Sequence, residues 1–172
     1  MKNNNSNISV VIPVYNNADF LSELIRRLIN ILDEICKEFE LIFVDDGSSD
    51  NSLKILYDFQ KRFVQIRVIK LLKNYGQSNA IAAGLEFAKY DIMAIMDADL
   101  QDKPEDIPKL LERMLLEKSE MAIAQWKINE GCYHESIFSK IFYFASEYLT
   151  RIHQPPCTGI FRLITRDAFD KA

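Results

Sequence analysis

From Ile92 the chain runs Ile-Met-Ala-Ile-Met and then directly into Asp97-Ala98-Asp99-Leu100-Gln101. Five apolar residues ending in two carboxylates constrain the fold more than any other stretch. A strand that is apolar on both faces belongs inside a parallel sheet with helices on either side. Open sheets of that kind bind ligands just beyond the carboxyl ends of their strands. Two aspartates at such an end offer hard oxygen ligands suited to Mg²⁺ or Mn²⁺. An Asp-x-Asp pair is also an ordinary strand-end turn. Its meaning therefore depends on what the rest of the chain brings beside it.

The pattern of apolar run, polar turn and helix recurs along the chain. Ile8–Val14 reads as a buried first strand with Pro13 at its exit. Tyr15-Asn16-Asn17 is a loop whose asparagines can cap a helix. Phe20, Leu21, Leu24, Ile25, Leu28, Ile31, Leu32 and Ile35 then recur at helical spacing, predicting a helix over 18–37. A second strand, 40–44, runs into Asp45-Asp46-Gly47-Ser48-Ser49-Asp50, and a helix is expected at 51–62. Strand 64–72 leads through Lys73-Asn74-Tyr75-Gly76-Gln77 to a helix over 77–89. Its small residues permit close approach to a sheet. After Asp99, Pro104 opens a further helix. A strand at 120–126, a helix at 136–150, a strand at 160–164 and a helix from Asp167 complete the reading.

Strands alternating with helices imply a mostly parallel sheet covered on both faces. Parallel topology then brings the strand exits to one edge. Tyr15, Asp45, Asp46, Asn74, Asp97 and Asp99 are expected around one cleft there. Four carboxylates converging on such a cleft repel one another unless a cation or hydrogen-bond donors compensate them.

Other chemistries are disfavoured. The net charge is −4, so no surface for nucleic acid is advertised. The three cysteines, Cys36, Cys132 and Cys157, form no CxxC pair and have only His134 and His153 for company, which argues against zinc. They fit a reduced, cytoplasmic setting. The chain contains no GxxxxGK[ST], no GxGxxG after the first strand and no GxSxG. Residues 1–7 are polar and read as a disordered tail without a secretory signal. No run of about 20 apolar residues is present to span a bilayer.

Four segments stand in order: Val10-Val-Ile-Pro-Val-Tyr-Asn16, Phe43-Val-Asp-Asp-Gly-Ser-Ser-Asp50, Lys73-Asn-Tyr-Gly-Gln77 and Met96-Asp-Ala-Asp-Leu-Gln101. Together they resemble the family 2 glycosyltransferases, and among these the dolichol- and polyprenyl-phosphate sugar transferases. The resemblance covers residues 8–170. It implies a GT-A (Rossmann-like) three-layer αβα sandwich and an inverting, metal-dependent transfer of a sugar from a UDP- or GDP-sugar donor. Pro13, Tyr15, Asn17, Val44 and Asp46 are implied to surround the nucleoside, with Ala98 and Gln101 close by. Asp97 is implied to reach the nucleotide and Asp99 to hold Mg²⁺ or Mn²⁺, the two forming the DxD metal site. Lys127 falls where relatives carry an arginine that contacts the diphosphate or the acceptor phosphate. Arg162 and Arg166 resemble the family's FRL…R segment.

The resemblance departs in two places. Relatives often read Gly-Asp-Phe-Arg-Leu where this chain has Gly159-Ile160-Phe161-Arg162-Leu163. Loss of a general base costs a hydroxyl acceptor roughly 10²–10⁴-fold. A lipid phosphate is already ionised and needs a base less, so Ile160 favours polyprenyl phosphate over a glycan hydroxyl as acceptor. A non-catalytic nucleotide-sugar-binding remnant is the third possibility. Relatives also extend further, so residues 8–172 are expected to be a catalytic domain cut short at its C-terminus. The full-length protein is then expected at the cytoplasmic face of a membrane, in cell-envelope synthesis.

Overall fold

The computed structural model describes residues 6–125 and 158–171. The elements run β1 (Ser6–Val14), α1 (Ala18–Ile35), β2 (Cys36–Asp45), α2 (Ser52–Gln60), β3 (Ile66–Lys70), α3 (Gln77–Glu86) and β4 (Ile92–Ile95). A 3₁₀ turn at Pro104–Asp106 then leads into α4 (Ile107–Glu117), β5 (Met121–Gln125), β6 (Thr158–Thr165) and α5 (Arg166–Asp170). One six-stranded sheet has the order β3-β2-β1-β4-β6-β5. The first four strands are parallel, and β6 runs antiparallel to both β4 and β5. The expected helix at 136–150 and Lys127 lie outside the described residues.

Helices cover both faces. Leu21, Leu24, Ile25, Leu28 and Leu32 form the buried stripe of α1, the i, i+3, i+4 pattern of an amphipathic helix. With residues of α2 and α4 they pack on Ile8, Val10, Ile12, Leu41 and Phe43 of the sheet. Each such side chain contributes about 2 kcal/mol by leaving water. On the other face Ala80 and Leu85 of α3 pack on Val11, Ile42, Val44, Met93 and Ile95. Gly84 lets α3 settle there, because a Cβ at this position would stand 2.3 Å from Val11 Cγ1 and 3.0 Å from Val44 Cγ2.

Several boundaries differ from those read in the sequence. Ser6 and Asn7 belong to β1 rather than to a tail: Ser6 pairs with Cys36, and Asn7 Oδ1 accepts the Glu38 N–H at 3.2 Å. The α1 helix gives way at Cys36 to a strand that starts four residues before the predicted position. Cys36 is buried, and that burial pushes its thiol up to about 12, so it is unreactive. The β3 strand is shorter than its apolar run, with Val64 and Leu72 almost wholly exposed, because an edge strand has one neighbour to define its ends.

At the amino-terminal edge of the sheet a buried polar knot ties the layers. Glu40 accepts from Ser9 Oγ (2.7 Å), from the Lys89 backbone N–H (2.6 Å) and from Arg67 (3.0 Å). Arg67 also donates to the Phe87 carbonyl just beyond α3. Arg166 donates to the carbonyls of Leu85 and Ala88 and so caps the same end, where a cation is favoured by the helix dipole.

Candidate active site

The opposite, carboxyl-terminal edge carries the cleft. It is lined by Pro13, Val14, Tyr15 and Asn17 after β1, Asp46 after β2, Asn74, Gly76 and Gln77 at the start of α3, and Asp97, Ala98 and Asp99 after β4. Its volume is about 260 Å³, below the range of roughly 300–1,000 Å³ common for small-molecule sites. The described residues thus form a small cleft at this edge.

The β2–α2 loop caps both helices that begin at the cleft. Asn17 precedes α1, but its side chain accepts the Tyr15 N–H at 3.0 Å instead of capping its own helix. Asp50 fills that role from the neighbouring loop. One of its oxygens accepts the Ala18 N–H at the start of α1 (3.0 Å), and the other the Ser52 N–H at the start of α2 (2.9 Å). Asn16, in the left-handed region at φ +56°, accepts the Ser49 N–H at 2.8 Å and donates its own N–H to Ser48 Oγ at 3.0 Å. This stitching fixes where Tyr15, half exposed, stands on the rim.

Asp46 is only 3% exposed. Its carboxylate accepts the backbone N–H groups of Tyr75 (2.7 Å) and Gly76 (2.8 Å) and thereby anchors the β3–α3 loop. A carboxylate has about four acceptor positions, so capacity remains for a further donor. Gly47 makes the turn possible: its φ is +75°, and a Cβ would stand 2.8 Å from the Asn74 nitrogen.

Asp97 and Asp99 both face the cleft. Asp97 Oδ1 accepts from Gln77 Nε2 at 2.6 Å, and Asp99 Oδ1 accepts the Gln101 N–H at 3.0 Å. Burial, then the charges of Asp102 and Asp99, push the Asp97 carboxyl up to about 6. Among the described residues no group of three or more His, Cys, Asp or Glu side chains is arranged as a metal cage. Magnesium-type ions seldom use such cages and are held by one or two carboxylates together with substrate phosphates. Two aspartates on one wall of an open cleft fit that arrangement.

The structure separates residues that the sequence places together. Asp45 does not join the cleft. It is fully buried, in register with Val14 on the face covered by α1, and its Oδ1 has no partner among the described residues. Asp45 is the last residue of β2 and points to the α1 side of the sheet, whereas Asp46 lies beyond the strand end and lines the cleft. Val44 does not line it either, being wholly buried under α3. Gln101 is exposed beyond the lining and touches the site through its backbone. Arg162 stands on β6 in register with Ile95 and Ile123, and its guanidinium donates to the carbonyls of Ile160 and Gly159. Its burial lowers its affinity for a proton. Ile160 is half-buried against the α3-side core. Two residues of the site carry no signal in a first reading. Gln77 ends the Lys73–Gln77 segment, and nothing in that spacing points its side chain to Asp97. Asp102 is brought back to Asp97 only by the turn at Leu100, whose φ is +64°.

An antiparallel strand set into an otherwise parallel sheet, with a two-aspartate cleft at the carboxyl edge, defines a GT-A architecture. The chain belongs to glycosyl transferase family 2, whose model matches residues 9–172. It is 36% identical over 160 residues to an uncharacterised glycosyltransferase of Synechocystis, covering 92% of this chain and 50% of that protein. Over 106 residues it is 48% identical to an undecaprenyl-phosphate 4-deoxy-4-formamido-L-arabinose transferase of Edwardsiella ictaluri, covering 61% of this chain and 33% of that one. Its structure is similar to that of a Pyrobaculum calidifontis mannosyltransferase in complex with GDP-mannose and Mn²⁺. The TM-score is 0.68 at 18% identity, over 95% of this chain and 46% of the other. The chain spans half or less of the length of these curated relatives. Among the described residues no helix is long and apolar enough to cross a membrane.

Proposed function

We propose that this chain binds a nucleotide-sugar and, in the full-length protein, transfers the sugar with inversion to polyprenyl phosphate at a membrane surface. The observation that carries the reading is the convergence of Tyr15, Asp46, Asn74, Asp97 and Asp99 in one cleft from four separate loops. Tyr15 offers a ring for the base or ribose. Asp46 offers the remaining acceptor capacity to a base N–H. Asp97 and Asp99 would hold a divalent cation beside the donor. When bound, that cation offsets the charge developing on the leaving group. In the transfer, an acceptor phosphate oxygen forms a bond to the anomeric carbon, and the bond to the nucleoside diphosphate breaks with its electron pair leaving on the diphosphate.

The acceptor rests on two supports: the name of the Edwardsiella relative, and Ile160, an apolar side chain where a hydroxyl acceptor would want a carboxylate base. Lys127 is the basic residue proposed for the diphosphate or the acceptor phosphate. The test is a panel of UDP- and GDP-sugars with and without Mn²⁺, read by thermal unfolding. A ligand at a hundredfold excess over its Kd adds about 2.7 kcal/mol of stability. One donor is expected to stabilise the chain only with metal, and Asp99→Ala is expected to abolish the metal-dependent part. A metal-independent shift of equal size in Asp99→Ala overturns the assignment.

A further inference from the structure

The β4–α4 loop holds its first aspartate by the backbone as well as by the side chain. Asp102 is only 6% exposed, unusual for a carboxylate in a loop. Its Oδ2 accepts the Asp97 N–H at 3.2 Å, closing the segment 97–102 on itself. Leu100 adopts the left-handed conformation within that segment and packs against the core on the α1 side. Asp99 Oδ1 meanwhile accepts the Gln101 N–H. The peptide carrying both cleft aspartates is thus pinned at its start by Asp102 and at its middle by a residue in a sparsely populated conformation. A non-glycine residue there persists only where its surroundings over-determine it.

We propose that Asp102 is a positioning residue for the cation–diphosphate site. Its carboxylate accepts the Asp97 N–H and sets the directions in which Asp97 and Asp99 leave the loop. This rests on the reading of Asp97 and Asp99 as the cation-holding pair. Asp102 does not itself face the cleft, which is lined by Asp97, Ala98 and Asp99 on this side. What it supplies is an acceptor at a fixed point. The acceptor geometry is therefore the property that matters, and asparagine, with one carbonyl oxygen, retains it.

The experiment compares wild type, Asp102→Ala and Asp102→Asn in the full chain. Calorimetry follows UDP and GDP with and without Mn²⁺, together with uridine and guanosine alone, and amide hydrogen exchange follows residues 97–101. Asp102→Ala is expected to weaken Mn²⁺-dependent diphosphate binding at least about tenfold, the lower end for loss of a group that orients a metal ligand. It is expected to speed exchange at Asp97 while nucleoside binding stays unchanged. Asp102→Asn is expected to restore both binding and protection. Wild-type binding and protection in Asp102→Ala overturn the inference, as does parallel loss of nucleoside binding, which marks a general structural role. A wild type whose diphosphate binding is indifferent to Mn²⁺ overturns the cation reading instead. Exchange at Asp97 then still decides whether Asp102 holds the loop.

Discussion

Asp45 and Asp46 are neighbours in the chain and strangers in the fold. One is sealed under α1 with an unpartnered oxygen, and the other anchors the β3–α3 loop on the cleft. Replacing Asp46 with alanine removes two backbone-to-carboxylate hydrogen bonds from a buried site. It is expected to cost about 3 kcal/mol, since bonds to charged groups are worth roughly 1.5–3 kcal/mol each and the two are not additive. Urea unfolding measures this, and nucleotide binding is expected to fall with it. Asp97 makes a prediction about pH. Its carboxyl titrates near 6 in the folded chain, pushed up first by burial and then by Asp102 and Asp99, against about 3.9 when unfolded. Between those values the folded state holds the extra proton. Its contribution to stability is therefore complete below about pH 4 and is lost as pH rises through about 6. Asp97→Asn is expected to match wild type in thermal unfolding at pH 4 and to exceed it at pH 7.5 without metal. Equal melting temperatures at pH 7.5 would contradict the strained carboxylate.

At the scale of elements, α3 is the hinge between core and cleft. Gly84 sets its distance from the sheet, Gly76 opens it at the cleft, and Arg166 closes its far end. Gly84→Ala drives a methyl group into Val11 and is expected to destabilise the fold by about 1–3 kcal/mol, the usual range for overpacking. Because Asn74, Gly76 and Gln77 travel with α3, nucleotide affinity is expected to drop as well, by calorimetry. The helices were legible from apolar spacing: the stripe of α1 lies where the sequence places it, and the strand–turn–helix alternation yields the parallel half of the sheet. Element ends were less legible. Cys36 starts β2 because β1 offers Ser6 as a pairing partner, a fact that lies thirty residues away in sequence.

For the molecule as a whole, the two edges of the sheet divide the work. The amino-terminal edge carries the Ser9–Glu40–Arg67 knot, and the carboxyl-terminal edge carries the cleft. Glu40→Ala strands the groups that this buried carboxylate gathers and is expected to cost about 3 kcal/mol. Where the fold survives, Mn²⁺-dependent nucleotide affinity is expected to stay at the wild-type value. A matching loss of affinity would show that the edges are coupled.

The class of fold, the family and most of the cleft were legible in residue types and their spacing. Apolar periodicity and the residue types at strand exits are local properties, and parallel topology carries every exit to one edge. Which of two adjacent carboxylates lines the cleft was settled only by the three-dimensional fold. The fold also decided that Val44 is core, that Arg162 turns to its own strand's carbonyls, and that Asp102 reaches back to the Asp97 amide. Those outcomes depend on strand register and on a left-handed Leu100, and neither is written in the spacing of the residues themselves.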